Sequence, residues 1–424
     1  MTQARHTGFA RLTQKDVSAA AARHEMLYSG RMGGARAVFA FCDLSGLDLS
    51  GRSLADADFT GAIMEETNFE RAKLDSASFF GADLRRANLS AASMRRVDLR
   101  GASMRGANLI GTDLYEADLR EGTIAEKDKY GNLRVLQHDL GPSELPAVMM
   151  NSANLERAKL TGVIAVQADF TDAVMKGCRL TRANLRQARL TGANLENADL
   201  SGCNLTGADL AGCILIGAKM DFATTHGADM TKTLTEAVKP DPEAVAAIEK
   251  LLEEHTLWAE TDGRQGRPAD LKGMDLRHVT RLSQYRLTAL IAPEALFYGV
   301  TLEGASMQGS NLAGCDLRSA KLGGADLRGV NLSGALLNHA DLRDTKLGPL
   351  MISGARLLPA RLDNDQARYA DLRGADLRRA RMAGCDLSYA NLGDADMRDS
   401  ETQGADFSGA KLPGRFAEAL TASA

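Results

Sequence analysis

Large apolar residues recur at every fifth position over most of this 424-residue chain. Phe39, Phe59 and Phe79 lie twenty residues apart, and the fifth positions between them hold Leu, Met or Phe. Neither a helix, with 3.6 residues per turn, nor a strand, with a period of two, produces this spacing. The double period predicts a chain that turns a corner every five residues and returns above itself after four corners.

Each five-residue unit has a small residue, then Asp or Asn, then the large apolar residue, and then two variable residues. We call the large residue the centre; Ala82-Asp83-Leu84-Arg85-Arg86 is a typical unit. Centres keep one phase over 39–126, a second over 148–235 and a third over 269–412, which slips by one residue near Val279 and continues from Leu282 to Leu412. About 64 units make about 16 coils if the solenoid reading applies throughout.

This pattern resembles the pentapeptide-repeat family over about three-quarters of the chain. The resemblance implies an all-β solenoid, a right-handed quadrilateral β-helix, in which the centre and the small residue two positions before it point inward. Packing independently favours this reading, because a side of about five residues leaves room inside for one large and one small side chain. We expect Phe39, Phe59 and Phe79 to stack in the core on one side of the coil.

The cysteines all occupy the small inward position: Cys42, Cys178, Cys203, Cys213, Cys315 and Cys385. No pair has the close spacing of a zinc site, and Cys203 and Cys213 fall two sides apart. The sequence therefore predicts six reduced thiols in the core.

Two segments read as covers for open coil ends. In the first, Thr13-Gln14-Lys15-Asp16 is a variant capping box, and a helical stripe follows: Val17, Ala20, Ala21, His24 and Leu27. In the second, Asp241 is the N-cap, Pro242 begins the helix, and His255 lies on the apolar stripe.

The endings of the two covers also match. His24 precedes Gly34 and the first centre Phe39, as His255 precedes Gly266 and Leu271. The sequence predicts two modules in tandem, each a cap followed by a solenoid, of about 235 and 190 residues. We interpret both histidines as residues that pack the caps, because no nucleophile or carboxylate constellation accompanies them.

The remaining break reads as a hairpin with a turn around Tyr130-Gly131-Asn132, followed by Gly141-Pro142 and Leu145-Pro146. A solenoid accommodates such an insertion where it projects from a corner, and projections often carry function, although a neutral excursion stays open. The partner-binding candidates of this loop are Lys127, Asp128, Tyr130, Arg134 and His138.

These features divide the chain into an N-terminal helical cap (1–38), a first solenoid block (39–126), a projecting loop (127–147), a second block (148–235), a helical linker or cap (236–268), a third block (269–412) and a tail (413–424). The tail either caps the last coil or mediates pairing.

Motifs of known chemistry are missing from the sequence: it has no phosphate-binding loop, dinucleotide glycine fingerprint, zinc spacing or nucleophile elbow. We therefore expect no catalytic residue, no cofactor and no metal. A net charge of -4 argues against a strongly basic nucleic-acid binder. No apolar run reaches the roughly 18 residues of a membrane span, and charges interrupt the N-terminus too often for a signal peptide. We expect a cytoplasmic protein.

Like charges stack on the outside of the predicted coils. Arg85 falls above Arg105, and Arg100 above Arg120, at about 5 Å, which is unfavourable unless neighbours or counterions screen them. This patterning is read either as a solvated face or as a binding strip for a charged partner.

The leading hypothesis is a non-enzymatic binding or scaffold protein with a protein partner and no direct nucleic-acid binding; a homodimer is compatible with it. The family resemblance implies an alternative, a DNA mimic that modulates a DNA topoisomerase (gyrase), because quinolone-resistance members act that way. This chain is longer than those members, nearly neutral, and carries Arg on many faces. An enzyme that uses the 127–147 loop has only Tyr130 and His138 in its favour.

Overall fold

The computed structural model describes residues 9–122, 125–127, 133–135, 144–235, 241–279, 282–354, 356–414 and 416. They belong to two compact units, Met1–Ala237 (unit 1) and Val238–Ala424 (unit 2). Each unit begins with a helix, α1 at Gln14–Tyr28 and α2 at Pro242–Glu260. A stack of coils follows each helix.

One coil has four sides of five residues each. In the first coil of unit 1, Val38, Asp43, Asp48 and Ser53 each form a parallel bridge to the residue twenty positions later. The coils are thus joined by single-residue bridges instead of continuous strands, because each five-residue side also has to contain a turn.

Within the regular repeats, the corners are tight turns. At Leu44 the carbonyl accepts a hydrogen bond from the amide of Leu47 at 3.1 Å, while the Leu44 amide donates to Ile63 of the next coil at 2.7 Å. The second residue after the centre adopts positive φ, as at Gly46 (φ 70°) and Arg86 (φ 57°). Glycine suits this position best, and each other residue there costs about 1 kcal/mol.

The core consists of the centres and of the small residues two positions before them. Phe39, Phe59 and Phe79 are at most 2% exposed, and their rings stack with centroids 5.2 and 4.7 Å apart. Phe69 meets Phe59 edge-on across the interior at 5.6 Å. The predicted aromatic stack is confirmed.

All six cysteines are free, and five are buried; Cys42 is only partly buried. The thiol of Cys203 donates to the carbonyl of Leu180 at 2.8 Å, as the hydroxyl of Thr67 does to Leu44 at 2.9 Å. Burial raises the pKa of Cys203 to about 12, so this thiol is not a nucleophile at neutral pH. The predicted core position is confirmed for five of the six cysteines, and Cys42 lies nearer the surface than expected.

The first two solenoid blocks form one continuous stack within unit 1. Ser103 bridges Glu144, and Asn108 bridges Met149, so the coils close across the phase change. Within the intervening segment, β3 (Ala125–Lys127) pairs antiparallel with β4 (Leu133–Val135).

A second insertion interrupts unit 2, and our expectation of unbroken repeats from Leu282 to Leu412 is wrong. Asn331 bridges Arg361, thirty residues away instead of twenty. The ten extra residues contain a hairpin, β5 (Leu350–Ser353) paired antiparallel with β6 (Arg356–Leu358). Ten residues equal two repeat units, so the insertion leaves the five-residue phase unchanged. A short 3-10 helix, Leu282–Gln284, follows the one-residue slip that the sequence does show.

The N-terminal helix has the predicted capping box. The amide of Asp16 donates to the Thr13 side chain, and the amide of Thr13 donates to Asp16. Val17 and His24 on its stripe are buried, whereas Leu27 is 45% exposed and lies off the packed face. In α2, Asp241 is the N-cap as predicted.

The N-terminal segment supplies hydrogen-bond partners to all four sides of the first coil. Strand β1 (Ala10–Arg11) pairs in parallel with β2 (Cys42–Asp43). The other three sides are bonded by side chains. The Gln14 side-chain amide donates to the carbonyl of Asp48 at 2.7 Å and accepts from its N–H at 2.8 Å. The Glu25 carboxylate accepts from the amide of Ser53 at 3.2 Å, and His24 Nδ1 accepts from the amide of Ala37 at 3.0 Å.

The cap of unit 2 uses side chains at the corresponding two neighbouring positions of its helix. His255 Nδ1 accepts from the amide of Ala269 at 3.0 Å, and the hydroxyl of Thr256 accepts from the amide of Arg286 at 3.2 Å. Ala269, like Ala37, lies two positions before the first centre of its stack. The interpretation of His24 and His255 as cap-packing residues is confirmed.

Gly266→Ala tests how closely α2 lies against the chain that enters the stack. Gly266 has φ +72°, and an added Cβ would collide with the carbonyl of Glu254 and lie 2.8 Å from the amide of Trp258. We expect a loss of about 3 kcal/mol in the free energy of unfolding, measured by urea titration. Gly273→Ala is the control: its φ is +65° but the space around its Cβ is open. This variant should lose only about 1 kcal/mol, and equal losses would contradict the collision.

Candidate interaction surfaces

Many arginines that follow a centre are bound by the aspartate that precedes it. Arg85 donates from Nε to Asp83 Oδ1 (2.8 Å) and from Nη2 to Asp83 Oδ2 (2.6 Å), because residues two apart point to the same side of an extended segment. We call this pair an Asp-x-Arg clip. It recurs at Asp98–Arg100, Asp118–Arg120, Asp275–Arg277, Asp316–Arg318, Asp326–Arg328, Asp341–Arg343, Asp371–Arg373, Asp376–Arg378 and Asp396–Arg398.

The clips explain how like charges stack along the coils. The hydrogen bond from Arg343 lowers the pKa of Asp341, and its bond to Asp341 in turn keeps the arginine charged. Each clip is electrically neutral, so the predicted neighbours Arg100 and Arg120 each carry their own counterion. Charge on these faces is therefore balanced locally instead of forming a strip of one sign.

The structure places the predicted loop candidates only in part. Lys127 lies in β3 opposite Leu133, and Arg134 lies in β4 opposite Glu126. The other three candidates, Asp128, Tyr130 and His138, lie outside the described residues. Their role in binding a partner stays a prediction.

An open depression of about 540 Å³ lies on unit 1 where the insertion leaves the stack, lined by Arg100, Arg120, Glu121, Thr161, Gly162 and Arg182. The chain passes close to its neighbours there, since a Cβ on Gly122 would lie 2.7 Å from the ring of Phe80. Arg100 sits 5.1 Å above that ring, and Arg100 and Arg120 are both clipped to aspartates. The clips offset much of the positive charge that this lining would otherwise present.

The β5–β6 hairpin of unit 2 has two apolar faces. Leu350 and Leu358 pack on the corner at Gly329, where an added Cβ would lie 2.8 Å from Leu350 and 3.1 Å from Leu358. On the rest of the hairpin, Met351, Ile352 and Leu357 are 68%, 53% and 36% exposed. We call these three residues the hairpin tip. The repeat pattern does not reveal the hairpin tip, because Ile352 and Leu357 fall in the five-residue phase of the inward centres.

Aromatic rings form a ladder on one outer corner of unit 2. The ring centroids of His339 and Tyr369 are 5.3 Å apart, and those of Tyr369 and Tyr389 are 5.0 Å apart. Tyr389 in turn covers Gly409, where an added Cβ would lie 2.6 Å from its ring. The ring faces stack on one another, so the ladder stabilises the corner and does not offer a stacking platform to a ligand.

Among the residues that the structure describes, no group of three or more His, Cys, Asp or Glu side chains is arranged to hold a metal ion. No described helix combines the length and the apolar character that crossing a membrane requires.

The sequence model of the pentapeptide repeats matches this chain in eight copies, at residues 35–71, 53–90, 82–120, 153–192, 193–233, 295–334, 325–348 and 368–401. The chain belongs to the pentapeptide-repeat family. The matched ranges lie in both units, and they leave out the segment that carries β3 and β4 and the hairpin of β5 and β6. The two insertions are thus additions of this pentapeptide-repeat protein to the common repeat.

Several solved pentapeptide-repeat structures are similar to this chain. HetL, a pentapeptide repeat protein involved in heterocyst differentiation regulation from the cyanobacterium Nostoc sp. strain PCC 7120, is 24% identical, with 77% of this chain and 90% of that chain covered and a TM-score of 0.20. A pentapeptide repeat protein from the Arabidopsis thaliana thylakoid lumen is 32% identical over 32% of this chain and 68% of its own, with a TM-score of 0.14.

Full-length QnrB1, a plasmid-mediated fluoroquinolone resistance protein, is 14% identical, with 78% of this chain and 98% of that chain covered and a TM-score of 0.15. No protein of curated function matches the chain.

Proposed function

We propose that this protein is a non-enzymatic scaffold that binds a protein partner, built on two right-handed quadrilateral β-helices. The observation that carries the proposal is the hairpin tip, an exposed apolar surface on a well-packed base. Exposed apolar groups that a protein positions in this way commonly mark an interaction site. A reducing compartment such as the cytoplasm suits its six free thiols.

Three features support the hairpin tip as the contact surface. Its base is rigid, because Leu350 and Leu358 pack against the backbone at Gly329. The hairpin sequence holds one charge, Arg356, so burial of the tip against a partner requires little desolvation of ionic groups. The neighbouring faces of unit 2 carry neutral Asp-x-Arg clips, which would neither attract nor repel most partners strongly.

The tip is tested by replacing Met351, Ile352 and Leu357 together with serine. The partner is first identified by affinity purification of the wild-type protein from its native cell, and its binding is then measured with purified components by calorimetry. Loss of three apolar anchors is expected to weaken binding at least 100-fold, since each contributes about 1 kcal/mol or more.

Phe222→Ser is the matched control, since Phe222 is 96% exposed on unit 1 and its replacement should leave binding unchanged. A triple serine variant that melts like wild type and binds with undiminished affinity would refute the role of the tip.

The loop candidates form a second proposed contact on unit 1. Exchange of Lys127, Asp128, Tyr130, Arg134 and His138 for alanine tests it in the same calorimetric assay. These residues belong to unit 1, so this variant keeps an intact hairpin tip on unit 2. Loss of binding by the variant would assign the partner site to the loop instead of the tip.

The gyrase-modulator alternative receives no support from the clips. A DNA mimic presents uncompensated carboxylates along its surface, whereas ten aspartates here are bound by an arginine two residues on. We expect the purified protein to leave DNA supercoiling by gyrase unchanged. Inhibition of supercoiling at micromolar concentration would favour the gyrase modulator over the scaffold.

A further inference from the structure

The first coil of each stack is a row of backbone groups with no coil above it. In a repeat protein such an end pairs readily with other chains unless it is covered. Both units cover it with a helix whose buried histidine accepts an amide hydrogen bond: His24 from Ala37 and His255 from Ala269, each at 3.0 Å. Two caps of different sequence therefore depend on the same bond at the same place.

This bond requires a neutral ring. Nδ1 can accept from a backbone N–H only while it carries no proton, so the proton lies on Nε2. In unit 2, Nε2 is 3.1 Å from the carbonyl of Thr288, to which it donates. Protonation at Nδ1 would turn the acceptor into a donor that faces another donor, and the bond to the first coil would be lost.

The surroundings of both rings favour the neutral form. His24 faces Glu25 and Tyr28 from its own helix and the Ala55 backbone, Asp56 and Arg36 from the stack. Burial lowers the pKa of His24, and it outweighs the Ala55 backbone and the two carboxylates, which raise it. His255 packs on Trp258 of its own helix and on the Thr288 carbonyl, and burial lowers its pKa too. The Tyr28 hydroxyl donates to Asp56 at 2.6 Å, which holds that carboxylate in place.

We propose that His24 and His255 are pH-sensitive contacts that hold the two caps in place. Protonation of each histidine releases its helix, α1 or α2, and uncovers the backbone edge of the first coil in that unit. The uncovered groups include the amides of Ala37, Asp48 and Ser53 in unit 1 and of Ala269 and Arg286 in unit 2.

The direction and size of the effect follow from proton linkage. A released histidine titrates near pH 6.5, whereas the capped one binds its proton only at lower pH. The histidine therefore binds a proton in the open state under conditions where it stays neutral in the capped state. Cap opening becomes more frequent as the pH falls below about 6.5. Between pH 7.5 and 5.0 the opening equilibrium can rise by at most about 30-fold for each histidine.

Hydrogen exchange of the full chain measures this opening, followed by mass spectrometry at pH 7.5 and 5.0 with correction for the intrinsic rates. We expect protection of peptides that contain Ala37 and Ala269 to fall about 10- to 30-fold at pH 5.0, while peptides around Phe69 or Leu327 keep theirs. A change below threefold, or an equal change in the middle of the stacks, would overturn the proposal.

Two variants separate titration from simple loss of packing. His24→Asn and His255→Asn place an amide oxygen near the position of Nδ1, where it accepts the same hydrogen bond without titrating. Each should abolish the pH response of its own unit and leave that of the other. His226→Asn, at an exposed histidine, is the control and should respond like wild type. An asparagine variant that folds, by circular dichroism, and still opens in acid would show that another group is responsible.

Discussion

Asp365→Ala is expected to raise the free energy of unfolding of unit 2 by about 2 kcal/mol at pH 7. Asp365 occupies the small inward position, where Ala335 and Cys385 stand in the coils on either side, and it is 1% exposed. Its Oδ1 accepts from the amide of Ala335 at 3.1 Å, while Oδ2 has no hydrogen-bond partner among the described residues. Burial raises the pKa of Asp365 to about 8. Alanine removes this desolvated acid at a place where alanine already fits.

The pH dependence of stability gives the same prediction a second readout. The folded pKa of Asp365, about 8, lies above the 3.8 of the unfolded chain, so the folded state holds an extra proton between these values. Stability contributed by this group is therefore full below about pH 4 and is lost as the pH rises towards 8. Urea unfolding at pH 5, 7 and 8.5 should show a shallower decline for Asp365→Ala than for wild type.

Asp394→Ala, at an exposed aspartate in the same unit, is the control and should keep the wild-type slope. Destabilisation by Asp365→Ala, or an unchanged slope, would mean that the carboxyl group has a partner that offsets its burial.

Phe59→Ala should lower the free energy of unfolding of unit 1 by about 4 kcal/mol. Phe59 is 0% exposed and contacts three rings, stacking on Phe39 and Phe79 and meeting Phe69 edge-on. The coil backbone is fixed by bridges on all four sides, so the interior cannot collapse to fill the space. Thermal and urea unfolding measure the loss.

Phe222→Ala is the matched control, because Phe222 lies on a corner of the same unit and is 96% exposed. Its replacement should change stability by less than about 0.5 kcal/mol. Similar losses at the two positions would contradict the assignment of Phe59 to the interior.

Much of this architecture was predictable, because each position of the five-residue unit always points the same way. The type of residue at a position therefore indicates whether its side chain faces the core or the solvent. Phe39, Phe59 and Phe79 revealed the twenty-residue coil, and the six cysteines all fell at the small inward position that the family resemblance implies. The capping box of Thr13 and the equivalence of His24 and His255 were also readable, since both depend on local spacing.

What escaped prediction did so for physical reasons. The hairpin tip was invisible because an insertion of ten residues restores the phase, and because Ile352 and Leu357 are as apolar as true centres. The bond from Gln14 to Asp48 joins residues that meet only after the coil has closed. The Asp-x-Arg clips were present in the sequence, yet their neutralising effect became visible only from the side-chain geometry. The stacking of Arg100 above Arg120 suggested repulsion, whereas each arginine is neutralised by the aspartate of its own five-residue repeat.

The clips bear on how such a chain grows. Because an arginine is matched by the aspartate two positions before it, a gene duplication that copies a clip adds the arginine together with its counterion. The clipped residues of a duplicated coil therefore add no net charge to the stack. Designers who lengthen either stack can use such pairs to place arginine on its surface without adding net charge.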